Sequence, residues 1–208
     1  MVDVVLASAS PRRAEILRNA GIEFTVFNAD VDETRHANES ADAYVSRVAA
    51  AKAEKAAAYL LRTNQEAVTV AADTVVVVGD EVLGKPVDAA DAKRMLRLLS
   101  GKAHEVRTGL AIIADPAQVP GVQVVSTRVH FATMTDAEID AYLSTGEPFD
   151  KAGAYGIQGI GGKFVTGIEG CYFNVMGLPL SRVWSALTAI EKMFEQREKF
   201  RSQHGAGD

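Results

Sequence analysis

The chain has a single cysteine, Cys171, and only four scattered histidines, His36, His104, His130 and His204. One thiol cannot form an intrachain disulfide, which fits a reducing compartment, and no zinc-ligand spacing is present. Any metal bound here is expected to be a hard one. Long apolar runs are missing as well: the longest stretch of branched residues is Val75 to Val78, far below the roughly 20 residues that span a bilayer. The N-terminus lacks a basic region followed by an apolar stretch and a small-residue cleavage site, so the expected location is the cytoplasm. Excess positive charge is also absent. The net charge is −5, which leaves no broad electrostatic footprint for DNA or RNA, so anions must be held by local Arg and Lys clusters. The expected partner is therefore a small molecule, with no nucleic acid and no membrane.

What is present suits a sizeable core. At 208 residues and 48% hydrophobic content, the chain fits one large domain or two closely joined lobes. We expect a single domain over 1–201 and a frayed tail over 202–208. An apolar strand, Val4 to Ala7, runs into Ser8-Ala9-Ser10-Pro11-Arg12-Arg13, and a helical pattern then extends to Ala20 and closes at Gly21. Ser10 can act as N-cap, and Pro11 fits the first helical position, where no backbone N–H is missed. The free amides and dipole at that point favour an anion, with Ser8, Ser10, Arg12 and Arg13 close by. A capped surface helix with two solvated arginines would show the same pattern.

Further along, Phe24 to Phe27 reads as a short strand leading to an acidic loop with Asp30, Asp32 and Glu33. Ser40 or Asp42 opens a helix to about Arg62. Ala67 to Val78 is β-rich, and Gly79-Asp80 before Glu81-Val82-Leu83 signals a two-residue hairpin. A helix over Asp88 to Leu99 ends just before Gly101. Strands follow over Thr108 to Ile113 and Val122 to Phe131, then a short helix from Thr135 or Asp136 to Ser144. The glycine-dense segment Gly153 to Gly162 interleaves aromatic and branched residues, so it reads as a shaped loop, not a flexible linker. Leu180 to about Phe200 is a last helix with Val183, Trp184, Leu187 and Ile190 spaced for one buried face. The order of elements predicts an α/β protein built on a mixed sheet with helices around it.

Asp73 interrupts an otherwise buried strand. An unpaired charge there is costly, so it must meet a cation, a metal or a donor network, or face a cleft. A carboxylate held by structural hydrogen bonds is the alternative. Lys52 falls on the apolar stripe of its helix, four residues after Val48 and eight after Tyr44. It either snorkels along its stem or aims an ammonium at a phosphate. Lys85, in Leu83-Gly84-Lys85-Pro86, is a further basic residue among stiff neighbours. The acidic loop could hold Mg²⁺ or Mn²⁺ together with Asp73, or be a solvated turn. Gln158 stands among glycines that allow close approach to a flat ligand, and its amide can both donate to and accept from a base edge.

Taken together, the segments LASASPRR (6–13), AADTVV (71–76), LGKP (83–86), SGKAHEVRTG (100–109), DKAGAYGIQG (150–159) and GLPL (177–180) resemble the Maf family of nucleoside triphosphate pyrophosphatases. That resemblance implies an elongated, curved mixed sheet in two lobes with a central nucleotide cleft, similar to the inosine triphosphate pyrophosphatases. It implies Asp73 as the acceptor of the water proton and Ser8, Arg13, Lys52 and Lys85 as triphosphate ligands. It also implies a divalent cation, Mg²⁺ or Mn²⁺, with Glu33 and Asp73 as its candidate ligands. Arg12, Thr74 and Gln158 match the branch acting on dTTP and UTP, whereas Trp, Gln and Glu mark the branch acting on 7-methyl-GTP. The expected reaction releases pyrophosphate and a nucleoside monophosphate. A nucleotide-binding regulator of septum formation is the other function that the resemblance implies, and a homodimer is a further expectation.

Overall fold

The computed structural model describes residues 2–204. In chain order the elements are β1 (Val4–Leu6), α1 (Pro11–Asn19), β2 (Thr25–Val26), α2 (Ala41–Thr63), β3 (Val68–Val78), β4 (Glu81–Leu83), α3 (Ala89–Leu99), β5 (Ala103–Ile113), β6 (Gly121–Phe131), α4 (Asp136–Leu143), β7 (Val165–Glu169), α5 (Tyr172–Val175) and α6 (Leu180–His204). The seven strands form one open sheet in the order β2-β1-β3-β5-β6-β7, with β4 also pairing to β3. β1 lies parallel to β2 and β3, while every other pairing is antiparallel. The predicted mixed sheet with surrounding helices is what the chain forms.

The branched run Val68 to Val78 becomes β3 because its residues suit a pleated surface covered on both faces. One edge of β3 pairs continuously with β5 from Thr69 to Val77. Its other edge pairs with β1 only over Val68 to Val70 and with β4 only over Val76 to Val78. Among the described residues no strand covers that edge from Ala71 to Val75. This gap in the sheet holds Asp73 and Thr74.

Two lobes meet at the gap. On one side a core of Leu6, Ile16, Leu17, Val70, Leu178 and Val183 joins β1, β3, α1 and α6. On the other, Leu83, Leu96, Leu99, Val129, Ile139 and Tyr142 join β4, α3, β6 and α4. Across the opposite face of the sheet lies α2, whose buried stripe is rich in alanine: Ala49, Ala53, Ala56 and Ala57. Small side chains let the helix come close. Closest of all is Gly109 on β5, where a Cβ would lie 2.3 Å from the carbonyl oxygen of Val45.

Local chemistry explains most boundaries. Ser40 caps α2 by accepting from the amide of Ala43 at 3.2 Å, and Asp88 caps α3 through Asp91 at 2.7 Å. Thr135 and Glu138 form a capping box at α4. Gly21, Gly79 and Gly101 take positive φ at the turns where the sequence places them. Ser10 does occupy the N-cap of α1, but its side chain makes no cap bond. β5 starts at Ala103, earlier than the expected Thr108, because the inward residues His104, Val106 and Thr108 include two polar ones that mask the alternation. β7 and α5 were not expected. β7 is a short edge strand with glycine at its centre, and α5 is a single turn, too short to show a period. α6 runs on to His204, past the expected end near Phe200, and of its expected buried face Val183 and Leu187 are buried while Trp184 is half-exposed. The remainder of the expected tail, 205–208, lies outside the described residues. No helix among the described residues is long and apolar enough to cross a membrane.

His104 is buried against Phe131 and Tyr155, with Nε2 2.9 Å from the Tyr155 hydroxyl. Burial lowers its pKa from 6.5 to about 4. The unfolded chain therefore binds a proton first as pH falls, so stability is full above pH 6.5 and declines towards pH 4. Urea unfolding should show this decline, about 3 kcal/mol at most from this group. His104→Gln, which does not titrate and keeps a partner for Tyr155, should have a shallower dependence over that window. An equal slope in both proteins would assign the effect elsewhere.

Candidate active site

A cleft of about 810 Å³ opens over the gap in β3. Ser8 to Arg13 form one wall, Asp150 to Gln158 the facing wall, and Asp73, Thr74 and Lys52 lie among its lining residues, with Glu33 and Lys85 near the mouth. Ser8, Arg12, Arg13, Glu33, Lys52, Asp73, Thr74, Lys85 and Gln158 all line this one cavity, whereas Asp32 of the acidic loop does not.

Strand alternation sends Asp73 and Thr74 to opposite faces of β3. On the α2 side, the Lys52 ammonium donates to Asp73 Oδ1 at 2.9 Å and sits 2.7 Å from Glu33 Oε1. Lys52 and Asp73 are 6% and 7% exposed, so this is a buried ion pair and not a snorkelling side chain. No described residue hydrogen-bonds Asp73 Oδ2. Glu33 is half-exposed. Burial pushes its carboxyl up, but the Lys52 hydrogen bond and charge outweigh this, aided by Lys85 and Arg13, and hold it below the ordinary value. Tyr44 donates its hydroxyl to the Glu33 carbonyl at 2.8 Å. Burial and the charges of Asp73 and Glu33 push the Tyr44 phenol up to about 12, so it remains a neutral donor.

On the other face, Arg13 is buried and heavily engaged. Its Nε donates to the Gly177 carbonyl at 2.7 Å, one terminal nitrogen to Ser8 Oγ at 3.1 Å, and the other to Thr74 Oγ1 at 3.2 Å. Burial pulls its pKa down while the nearby Asp73 charge opposes the shift. Thr74 also pairs with Thr108 at 2.9 Å. The expected cluster of two serines and two arginines forms only in part. Ser8 and Arg13 meet, but Arg12 reaches across the cleft mouth to Asp150, with bonds of 2.6 Å to its carboxylate and 3.1 Å to its carbonyl. Gln158 makes a second crossing, donating to Glu15 at 3.4 Å. Lys85 is exposed and follows β4, where the Gly84 carbonyl accepts from Gly153 at 3.0 Å.

A model of the Maf-like protein family matches residues 3–190. The chain belongs to this family. A relative in Anaeromyxobacter sp. (strain Fw109-5), named dTTP/UTP pyrophosphatase, is 52% identical over 181 residues, 86% of this chain and 84% of its own. One in Desulforamulus reducens with the same name is 47% identical, covering 90% of this chain and 96% of the relative. Another in Shigella dysenteriae serotype 1 is 45% identical across 96% and 98% of the two chains. Among solved structures, the Staphylococcus aureus Ham1 protein overlays 62% of this Maf-like chain and 72% of its own at TM-score 0.41 and 17% identity, too loosely to bear on the fold.

Of the three loop acids in this Maf-like chain, Glu33 alone brings its carboxylate to Lys52. Asp32 instead accepts from the Thr34 amide at 2.8 Å, and Asp30 contributes its carbonyl to Lys55. Glu33 and Asp73 together offer hard oxygen donors. Among the described residues no group of three or more His, Cys, Asp or Glu gathers at one point. That donor set fits Mg²⁺ or Mn²⁺, which need only one or two carboxylates when phosphate and water complete the shell. Sequence reading missed Tyr44, Asp150, Glu15 and Thr108 as parts of the cleft or its supports. Tyr44 shared the Lys52 stripe and Asp150 stood in the DKAGAYGIQG segment, so a signal existed for both. Thr108 likewise stood in the SGKAHEVRTG segment, whereas Glu15 carried no signal.

Lys52→Met keeps the aliphatic stem and strips the buried carboxylate of its cation. We expect a loss of about 3–5 kcal/mol in urea unfolding at neutral pH, with part of it recovered in Lys52→Met/Asp73→Asn. An unchanged midpoint in the single variant would show that the pair is not held as ions.

Proposed function

We propose that this chain hydrolyses dTTP and UTP at the α–β phosphate linkage, giving a nucleoside monophosphate and pyrophosphate. The observation that carries this reading is the Lys52–Asp73–Glu33 cluster in a cleft whose opposite walls supply an anion cradle and a base-sized amide. The name dTTP/UTP pyrophosphatase borne by the three relatives, at 45–52% identity over most of each chain, supports the same substrate class.

In this reading Asp73 uses Oδ2 to take a proton from water. The oxygen of that water forms a bond to the α-phosphorus, the bond from phosphorus to the bridging oxygen breaks, and its electron pair leaves with pyrophosphate. Lys52 orients Asp73 through Oδ1, leaving Oδ2 for the water, and offers its charge to the phosphates. Ser8, Arg13 and Lys85 hold the triphosphate together with the first-turn amides of α1. The Arg13 network ties the cradle to Thr74 on the strand carrying Asp73 and to the Gly177 carbonyl. Glu33 and Asp73 would hold the divalent cation, which supplies charge neutralisation for the leaving pyrophosphate.

Base choice falls to Gln158, Thr74 and Arg12. A neutral amide can donate to a carbonyl oxygen of uracil or thymine and accept from its ring N–H. The tryptophan that marks the 7-methyl-GTP branch, able to stack on a cationic methylated purine, has no counterpart in the cleft: the single tryptophan, Trp184, lines a separate groove beside β1 and α6. A carboxylate oriented by Lys52 and lining the cleft is what a hydrolase needs and a binding protein without turnover does not.

Incubation with dTTP, UTP, 7-methyl-GTP and ATP in Mg²⁺ should release pyrophosphate fastest from the first two. Asp73→Asn should bind UTP as tightly as the parent while lowering kcat on the order of 10²-fold or more. Near-parental pyrophosphate release from that variant would remove Asp73 from the chemistry, and preference for 7-methyl-GTP would reverse the base assignment.

A further inference from the structure

Gln158 stands on a turn with no regular secondary structure to hold it. Between the 3₁₀ turns Ala152–Ala154 and Ile160–Phe164 the chain passes Gly156, Ile157, Gln158 and Gly159. Just upstream, Gly153 and Ala154 take φ of 69° and 59°, a left-handed conformation that is strained for alanine. The Gly84 and Lys151 carbonyls hold these two residues by accepting from their amides at 3.0 Å each, and one side chain holds the turn that follows. Glu147, on the 3₁₀ turn Glu147–Asp150, accepts at Oε1 from the Tyr142 hydroxyl at 2.7 Å and the Gly161 amide at 3.0 Å. Its Oε2 accepts from the Ile160 amide at 2.8 Å. The Tyr142 oxygen in turn accepts from the Gly156 amide at 3.2 Å. Both ends of the segment bearing Gln158 are therefore tied, directly or through one hydroxyl, to a single carboxylate.

The glycines show how tight the wrapping is. A Cβ on Gly159 would lie 2.3 Å from Glu147 Oε2, one on Gly161 2.5 Å from the Tyr142 hydroxyl, and one on Gly156 2.7 Å from Lys151 Cε. The spacing of glycine in this segment thus reflects close approach to an internal anchor in addition to any ligand. Burial pushes the Glu147 carboxyl up, but the amide and hydroxyl donors prevail and keep it below its ordinary value, so it is present as the acceptor-only anion.

We propose that Glu147 is a positioning residue for base recognition: it sets the height and angle of the turn from which Gln158 enters the cleft, without itself touching the nucleotide. This rests on the reading of Gln158 as the residue that meets the pyrimidine. The catalytic pair lies on β3 and α2, outside the wrapped segment, so loss of the anchor weakens grip on the base and leaves the chemical step in place.

The test compares KM and kcat for UTP in Glu147→Ala, Gly159→Ala and Gln158→Ala. Gly159 has φ of −112°, a conformation open to alanine, so that variant pushes the turn off the carboxylate without backbone strain of its own. Partial misfolding lowers the active fraction and hence kcat, but it cannot raise KM. We expect KM to rise about 10-fold in all three, with kcat within about 3-fold of the parent, the pattern of lost uniform binding. Should Glu147→Ala fail to fold, Gly159→Ala carries the same readout. A raised KM in Gln158→Ala alone overturns the role of Glu147 and leaves the base assignment intact. An unchanged KM in all three overturns both, and absence of pyrophosphate release by the parent protein overturns the proposed activity itself.

Discussion

One ammonium group, that of Lys52, holds two carboxylates from distant parts of the chain, and the rest of the site is arranged around that contact. Asp73 can occupy the middle of a buried strand only because a cation meets it there. Lys52 can leave the solvent only because α2 lies close enough to the sheet to deliver it. Glu33 joins from a loop that has no strand or helix of its own, held by the ammonium on one side and by the Tyr44 hydroxyl through its backbone. Charge at this point is thus fixed by mutual need among three residues that are 21 and 19 positions apart from the lysine in sequence.

The sheet supplies the opening. β1 stops pairing at Val70 and β4 starts at Val76, so β3 has a stretch of uncovered edge between the two lobes. A continuous partner strand there would have sealed Asp73 and Thr74 away from any ligand. Antiparallel pairing to β5 from Thr69 to Val77 along the opposite edge keeps the unpaired stretch in the sheet. The cleft is therefore a product of strand lengths more than of any special loop, and the two cores on either side of it give each wall its own support.

Much of this was legible in the sequence where a single residue broke a local pattern. Asp73 inside a valine run, Lys52 on an apolar stripe, and Ser-Pro-Arg-Arg at a helix start each announced themselves because chemistry and periodicity disagreed there. Helix caps at Ser40, Asp88 and Thr135 were readable for the converse reason, that residue type and position agreed. What escaped notice depended on contacts between remote segments. Nothing local in α1 says that Arg12 would span the mouth to Asp150, or that Glu15 would face Gln158. β5 was truncated because His104 points inward, which only its aromatic neighbours explain. The glycine-rich loop was correctly read as shaped, yet the carboxylate that shapes it comes from a preceding turn whose sequence shows no sign of that task.

Gly109 shows where this machine is least tolerant. It bears no functional group and touches no phosphate, base or cation, yet the backbone of α2 rests directly on it. Any heavier residue at that point would act as a wedge, tilting the helix outward and drawing the ammonium away from its two acids. A survey of inactivating changes in such a protein would flag this position alongside the charged ones, although the atoms responsible are those that glycine does not have.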